Sequence, residues 1–270
     1  MPITTILFDC DNTLVLSEPL AFASCAEVSN LILETYAPHV SHRYTGPELQ
    51  AEYVGKNYRA LMAALEEKHG FVIPTKDLDK WVDTELATTM KYIKAKATPC
   101  EGVMPVLEKL QREGKYNIAI VSSSALPRVL ASIHTTKQDA YFPSEKVFSA
   151  ASMTPPTSKP DPAVYLHACE QLGVNPAECV AIEDSRSGAT AATRAGIPLM
   201  GYVGPYYEEG AEEVERMDRL LKEDCKAVVV MHHWRDFEDC LRKIEDHASY
   251  CTGLVSYWLS GLIDDAYYAE

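Results

Sequence analysis

The chain lacks the features that mark several large classes of protein. Its eight cysteines include no CxxC pair, which argues against a disulfide framework or a zinc site and favours buried thiols in a reducing compartment. Positive charge is scarce, and the formal net charge of -14 argues against nucleic acid or an anionic membrane as the main partner. No apolar run is long enough to span a bilayer, and no signal-peptide pattern opens the sequence. We therefore expect a cytoplasmic protein that binds neither nucleic acid nor membranes.

What the sequence does contain is an alternation of strand and helix patterns. After residue 98, apolar strands such as "YNIAIV" and "ECVAI" alternate with helical segments, which predicts a parallel sheet covered by helices on both faces. Between the first apolar strand, at residues 3–8, and residue 98, the apolar spacing is helical. The predicted fold class is therefore α/β: a three-layer, Rossmann-like parallel-sheet core with an inserted all-helical cap domain.

The same patterns predict the domain boundaries. Residues 1–17 and 98–247 form the core, 18–97 form the cap, and 248–270 form a C-terminal amphipathic helical extension. The extension places an apolar stripe on one helix face: Leu254, Val255, Trp258, Leu259, Leu262 and Ile263. Packing onto the core, dimerisation and, least favoured because of acidic flanks, membrane binding would each use this stripe. A monomer and a homodimer both remain open.

Polar clusters stand where the apolar strands end or the helices begin. They are Asp9 with Asp11, Ser122–Ser124, Ser158–Pro160 around Lys159, and Glu183 with Asp184. Each cluster alone is more simply explained as a solvated turn or a helix cap. Together they lie in the order that one parallel sheet would bring to its carboxyl edge, where such sheets bind ligands. Concentrated carboxylates suit Mg²⁺, and a lysine beside that cation suits a phosphoryl group.

The two acids that follow the first strand could have different catalytic roles. Asp9 can attack phosphorus as a nucleophile and form an acyl phosphate. Asp11 can give a proton to the leaving oxygen and later take one from water. Two carboxylates this close raise each other's cost of ionisation, which Mg²⁺ and Lys159 would offset.

These clusters resemble the four motifs of the haloacid dehalogenase-like (HAD) hydrolase superfamily. The matching stretches are "DCDNT", "VSS", "KPDPAVY" and "EDSRSGATAATRAG", and the resemblance extends over residues 3 to about 245. The "EDS" form of the fourth motif is similar to the sugar-phosphate phosphatase and β-phosphoglucomutase branch. The family commonly has glycine where this chain has Asn12, a residue that also tolerates unusual backbone angles.

The resemblance implies a role for each motif residue. Asp9 is the nucleophile and a Mg²⁺ ligand, and Asp11 is the general acid and base, whose backbone carbonyl also binds Mg²⁺. Asp184 completes the metal site, and Glu183 contributes to it from behind or through water. The phosphoryl oxygens are held by Ser122, Ser123 and Lys159.

The resemblance also narrows the reaction. Dehalogenases of the superfamily lack the second aspartate. The phosphonatases use a cap lysine, for which Lys56 is available, but nothing marks it as desolvated. The β-phosphoglucomutases carry a cap histidine and lysine where this chain has Ala21 and Val54. These differences favour Mg²⁺-dependent hydrolysis of a small phosphate monoester. A hexose phosphomutase and a weakly active HAD-like sensor or scaffold remain the alternatives.

The cap stretch "YVGKNYR" is expected to face the substrate, because in this family the glycine loop closes over the active site. Its candidate substrate residues are Gly55, Lys56, Asn57 and Arg59. A solvated face explains the two cations equally well. A helical cap over a small cavity suits a sugar or polyol phosphate.

Overall fold

A computed structural model describes residues 1–53 and 57–248 of the chain. Two of the predicted substrate residues, Gly55 and Lys56, and the predicted extension after residue 248 lie outside these ranges. The described chain divides into two compact units, which are treated separately below. The first contains Met1–Leu14, Cys100–Ala125 and the residues from Tyr141 onward, and the second contains Val15–Pro99 and Leu126–Ala140.

The strands form one large sheet and one small one. Their bounds are β1 Thr5–Phe8, β2 Val15–Leu16, β3 Thr98–Pro99, β4 Asn117–Ser122, β5 Val147–Ser149, β6 Cys179–Glu183, β7 Leu199–Tyr202 and β8 Val229–Met231. The large sheet has the order β5-β4-β1-β6-β7-β8, and all its neighbouring strands are parallel. The small sheet pairs β2 with β3 in antiparallel orientation.

Helices connect these strands and make up most of the second unit. Their bounds are α1 Glu18–Tyr36, α2 Gly46–Tyr53, α3 Tyr58–His69, α4 Thr75–Lys96, α5 Val103–Glu113, α6 Leu126–Thr135, α7 Ala163–Leu172, α8 Arg186–Arg194, α9 Ala211–Arg219 and α10, at 237–248. Within the described ranges, no helix has the length and apolarity needed to cross a membrane.

The core of the first unit explains why its central strands read as unbroken apolar runs. Every residue of β1 and of β6 is buried, as expected for strands covered on both faces. Leu7, Val121 and Ala181 from three adjacent strands share one apolar cluster with α7 and α8. The predicted α/β fold class, with its parallel sheet and flanking helices, is confirmed.

The second unit has its own core, built by α1 to α3 around Val28, Ile32, Leu61 and Leu65, each at most 2% exposed. It also includes α6, which packs against α4. Residues 126–140 therefore group with this unit, although the sequence predicts them within the core range 98–247. The spacing of apolar residues in an amphipathic helix predicts which of its faces is buried, but it does not predict which other helix or strand that face packs against. The predicted domain boundaries stay a prediction.

Candidate active site

The first unit's sheet brings the ends of three central strands to one edge. In the register, Phe8 of β1 lies opposite Ile120 of β4 and Ile182 of β6. Asp9 follows β1 directly, and its N–H donates to the Ile182 carbonyl at 3.0 Å. Because the strands are parallel, their carboxyl ends meet here.

Lys159 lies buried at this edge with its side chain only 3% exposed. Its ammonium group donates to Asp9 Oδ1 at 2.6 Å, to Glu183 Oε1 at 2.6 Å and to the Val121 carbonyl oxygen at 2.7 Å. A lysine has three N–H donors, so these three acceptors fix the direction of the group. Because Val121 belongs to "VSS", the structure joins all four motifs through one cation.

The charges at this edge perturb one another. Burial raises the pKa of Asp9 to about 8, and Glu183 and Asp11 add to the rise although Lys159 opposes it. Burial acts to lower the pKa of Lys159, but the carboxylates of Asp9 and Glu183 outweigh it and the pKa lies above the usual value for lysine. Lys159 therefore stays charged, and further positive charge close to Asp9 would favour the ionised form of its carboxyl group.

The carboxylate of Glu183 is enclosed behind Lys159. Its Oε1 accepts hydrogen bonds from both Lys159 and the hydroxyl of Tyr165, at 2.6 and 2.5 Å. Its Oε2 is buried and has no hydrogen-bond partner among the described residues. Burial raises the pKa of Glu183, and the two donors oppose that rise. The contacts of Glu183 described here orient Lys159 and involve no metal ion. A contribution of Glu183 to metal binding therefore stays a prediction.

Gly188 makes room for this carboxylate. A Cβ atom at this position would lie 1.8 Å from Glu183 Oε2, far inside van der Waals contact. Gly188 occupies the first turn of α8, where its N–H donates to the N-cap side chain of Ser185 at 3.2 Å. The glycine of "EDSRSG" is thus required by a close approach rather than by an unusual backbone angle.

We expect Gly188→Ala to lower the free energy of unfolding by at least about 2 kcal/mol, because Glu183 must leave its position to avoid overpacking. Thermal or urea denaturation measures this loss. Ser187→Ala, one residue away on α8, is the matched control and should change stability little. In a Glu183→Ala background the same glycine substitution should cost much less. An equal cost in both backgrounds would contradict the proposed clash.

The acidic residues at this edge offer a set of oxygen ligands. Carboxylate oxygens of Asp9, Glu183 and Asp184 all lie within 4.8 Å of one another. Asp184 is 4% exposed and is held by Thr13, whose hydroxyl donates to Oδ1 at 3.4 Å, and by Tyr206, whose hydroxyl donates to Oδ2 at 3.2 Å. Hard carboxylate oxygens fit a divalent cation such as Mg²⁺.

The loop after β1 turns at Asn12. This residue has a φ of 57°, in the left-handed region that few residues other than glycine and asparagine adopt readily. The turn closes with a hydrogen bond from the Leu14 N–H to the Cys10 carbonyl at 3.0 Å. Asparagine therefore serves here in place of the glycine common in the family.

The three serines at the end of β4, residues 122–124, each take part in a different hydrogen bond. Ser122 Oγ accepts from the Ser124 N–H at 3.0 Å, and Ser123 Oγ accepts from the Lys159 N–H at 3.1 Å. A hydroxyl that accepts still has its own proton to donate, so both remain suited to a phosphoryl oxygen, as the sequence predicts. The side chain of Ser124 donates instead to Asp11 Oδ2 at 2.6 Å.

In the second unit, the described cap residues make local contacts. Asn57 is the N-cap of α3, and its side chain accepts from the Ala60 N–H at 3.0 Å. Arg59 forms an exposed ion pair with Asp79. Substrate contacts of Gly55, Lys56, Asn57 and Arg59 stay a prediction.

Sequence reasoning missed Tyr165 and Gly188 as parts of the site, and assigned no separate role to Ser124. Tyr165 is the last residue of the stretch "KPDPAVY", and Gly188 closes "EDSRSG". The one feature of the sequence that could have indicated a role for Tyr165 and Gly188 is that both lie within the motifs. Their contacts depend on side-chain directions that spacing does not give.

A parallel sheet that carries an Asp-x-Asp loop after its central strand, with a buried lysine and an acid pair beside it, indicates a hydrolase. The chain belongs to the haloacid dehalogenase-like hydrolase family, whose model matches residues 3–196. This confirms the family predicted from the four motifs.

Curated relatives add the type of reaction. The chain is 28% identical over 241 residues to a phosphoglycolate phosphatase of Nitrosospira multiformis, covering 85% of this chain and 92% of that one. It is 30% identical over 193 residues to a phosphorylated carbohydrates phosphatase of Thermotoga maritima, covering 71% and 81%. These similarities, with the family, make the chain a phosphatase and confirm the predicted enzyme class.

A solved structure shares the fold. It is a putative β-phosphoglucomutase from Thermotoga maritima, with a TM-score of 0.64 and 22% identity over 89% of this chain and 99% of that one. The likeness supports the architecture described above.

Proposed function

We propose that the protein is a Mg²⁺-dependent phosphatase that hydrolyses a small phosphate monoester, such as a sugar or polyol phosphate, through an aspartyl-phosphate on Asp9. The observation that carries this proposal is the contact of Asp9 Oδ1 with buried Lys159 at 2.6 Å, beside the carboxylates of Glu183 and Asp184. The curated relatives act, by their names, on phosphoglycolate and phosphorylated carbohydrates, so these esters are the first candidates.

In the first half of the reaction, a carboxylate oxygen of Asp9 attacks phosphorus and the bond from phosphorus to the leaving oxygen breaks. Asp11 gives its proton to that oxygen, so the alcohol leaves neutral. Lys159 and the hydroxyls of Ser122 and Ser123 hold the phosphoryl oxygens. A bound Mg²⁺, held by Asp9, Asp184 and the Asp11 carbonyl, supplies charge neutralisation.

In the second half, Asp11 takes a proton from water, and the resulting hydroxide attacks phosphorus. The bond between phosphorus and the Asp9 oxygen breaks, which releases inorganic phosphate and restores the carboxylate. Asp11 is protonated again and ready for the next ester. The three N–H donors of Lys159 are already used by Asp9, Glu183 and the Val121 carbonyl, so a phosphoryl oxygen replaces Asp9 Oδ1 as an acceptor while the contact with Glu183 keeps the ammonium group in place.

The mutase alternative requires groups that delay water until the intermediate passes to a second sugar hydroxyl. At one of the two expected positions stands Ala21, a buried residue of α1 without a titratable side chain. Because an alanine cannot replace the histidine that a mutase carries here, Ala21 favours hydrolysis over phosphoryl transfer to a second sugar hydroxyl. Adding a sugar bisphosphate distinguishes the two reactions, since a mutase would yield an isomerised sugar phosphate rather than free phosphate.

The test is phosphate release from a panel that contains phosphoglycolate, hexose and pentose phosphates, polyol phosphates and p-nitrophenyl phosphate, each with Mg²⁺ and with EDTA. We expect metal-dependent release, with highest kcat/KM for a small sugar or polyol ester. Release that is unaffected by EDTA would contradict the metal requirement. No release from any ester by the folded, Mg²⁺-loaded protein would overturn the proposal and favour the sensor or scaffold alternative.

Metal binding yields a separate prediction for Asp184. We expect Asp184→Asn to raise the Mg²⁺ concentration needed for half-maximal activity by at least about tenfold, because one anionic ligand is lost. Asp161→Asn removes the same charge from an exposed residue near Lys159 and serves as the control. Equal Mg²⁺ dependence of both variants would show that Asp184 is not a ligand.

We also propose a cytoplasmic location. The seven cysteines in the described ranges are free and buried, as suits a reducing compartment.

A further inference from the structure

We propose that Ser124 is a positioning residue that orients the carboxyl group of Asp11 for proton transfer to the leaving oxygen. The inference rests on the proposed function and adds a residue for which neither the motifs nor the relatives supply a role. Its basis is the hydrogen bond from Ser124 Oγ to Asp11 Oδ2, at 2.6 Å, between residues 113 positions apart in the chain. This length lies at the short end of the range for hydrogen bonds between two oxygen atoms.

Ser124 is itself held in place by its backbone. Its N–H donates to Ser122 Oγ at 3.0 Å, and its carbonyl accepts from Ser149 Oγ at 2.7 Å. Ser149 Oγ also lies 3.0 Å from Ser152 Oγ, whose hydroxyl can donate to it, and this contact ties the end of β5 to the turn that follows. These contacts use backbone atoms of Ser124, so removing its hydroxyl leaves them intact.

The backbone of Ser124 is therefore held in place, and its hydroxyl can orient the carboxyl group of Asp11. A carboxyl group turns with little resistance about its terminal sp³–sp² bond. A general acid is effective only when its proton points at the leaving oxygen, and small misplacements reduce the rate strongly. The bond to Oδ2 restricts this rotation and thus presents Asp11 in a defined direction.

If Ser124 orients Asp11, removing its hydroxyl should affect esters with poor leaving groups more than esters with good ones. A purely structural role predicts no such difference. A poor leaving group, such as the alkoxide of a polyol phosphate, needs the proton of Asp11 as its bond to phosphorus breaks. p-Nitrophenolate leaves without one. Loss of orientation should therefore lower kcat/KM selectively for the alkyl ester, since kcat/KM reports the steps up to phosphoryl transfer to Asp9.

The experiment compares kcat/KM for glycerol phosphate and p-nitrophenyl phosphate in the wild type, Ser124→Ala, Ser124→Cys and Ser124→Thr, each Mg²⁺-loaded and checked by thermal melting. We expect Ser124→Ala to lose about ten- to a hundredfold with glycerol phosphate and less than about threefold with p-nitrophenyl phosphate. Ser124→Thr keeps the hydroxyl and should regain most of the loss. Ser124→Cys keeps the size with a weak donor and should resemble Ser124→Ala, so the test stands if Ser124→Ala does not fold.

Ser144→Ala, at an exposed serine, is the matched control, and it should leave kcat/KM unchanged for both glycerol phosphate and p-nitrophenyl phosphate. An equal loss with both esters would overturn the inference and indicate that Ser124 binds the phosphoryl group or maintains the loop. Unchanged rates with both esters would overturn it as well. A wild type that releases phosphate from no ester of the panel, these two included, would instead overturn the proposed function, and the inference with it.

Discussion

Asp9→Asn is expected to lower kcat for phosphate release by about four orders of magnitude or more, because the reaction loses its nucleophile. The amide is almost the same size as the carboxylate, so the surrounding packing is retained. Lys159 keeps two of its three acceptors, Glu183 Oε1 and the Val121 carbonyl. Steady-state release from the best ester of the panel, with saturating Mg²⁺, measures the effect.

The same variant should not be less stable than the wild type in EDTA at pH 8. The folded state raises the pKa of Asp9 from 3.8 to about 8, so it favours the protonated form, and its contribution to stability falls as the pH rises across this window. Asparagine is neutral at every pH and avoids this loss. Thermal melting at pH 5 and pH 8 tests the sign. An unfolded variant would make the activity loss uninformative, and a folded variant with wild-type kcat would contradict the role of Asp9.

Lys159→Met should impair both stability and activity. Removing the cation leaves Asp9 and Glu183 as buried carboxylates without their partner, and breaking such a buried pair costs about 3–5 kcal/mol. Loss of a placed donor to the phosphoryl group should also reduce kcat by about a hundred- to a thousandfold. Urea denaturation and phosphate release measure the two effects.

Two comparisons sharpen this prediction. Lys243→Met, on the exposed face of α10, removes the same charge and should change stability and activity little. Adding Glu183→Gln to Lys159→Met removes one of the stranded carboxylates and should restore part of the lost stability but none of the activity. A Lys159→Met protein as stable as the Lys243→Met protein would contradict the buried ion-pair arrangement.

The sequence was sufficient for the sheet and for the edge that carries the site. Strand and helix alternation specifies a parallel sheet, and a parallel sheet brings the carboxyl ends of β1, β4 and β6 to one edge. The sequence alone is therefore enough to group Asp9, Ser122 and Glu183. Lys159 joins them because its motif immediately precedes α7.

Contacts between particular atoms were beyond what spacing can give. The double use of Glu183 Oε1 by Lys159 and Tyr165 depends on the direction of a helix side chain toward a neighbouring strand. The clash that requires Gly188 depends on an approach between β6 and α8 that no local pattern records. The hydroxyl of Ser124 points to Asp11, and the repeated serines of "SSS" give no sign of this direction. Each contact follows from tertiary packing, which overrides local sequence signals.

The most direct test of the central proposal, that Asp9 carries the phosphoryl group, is chemical trapping of the intermediate. Asp11→Asn with p-nitrophenyl phosphate should form the aspartyl-phosphate without needing an acid, yet hydrolyse it slowly because the base is missing. Acid quenching, borohydride reduction and peptide mapping by mass spectrometry should then find homoserine at position 9. Phosphate release by the wild type, with unmodified aspartate at that position after trapping, would contradict the covalent mechanism.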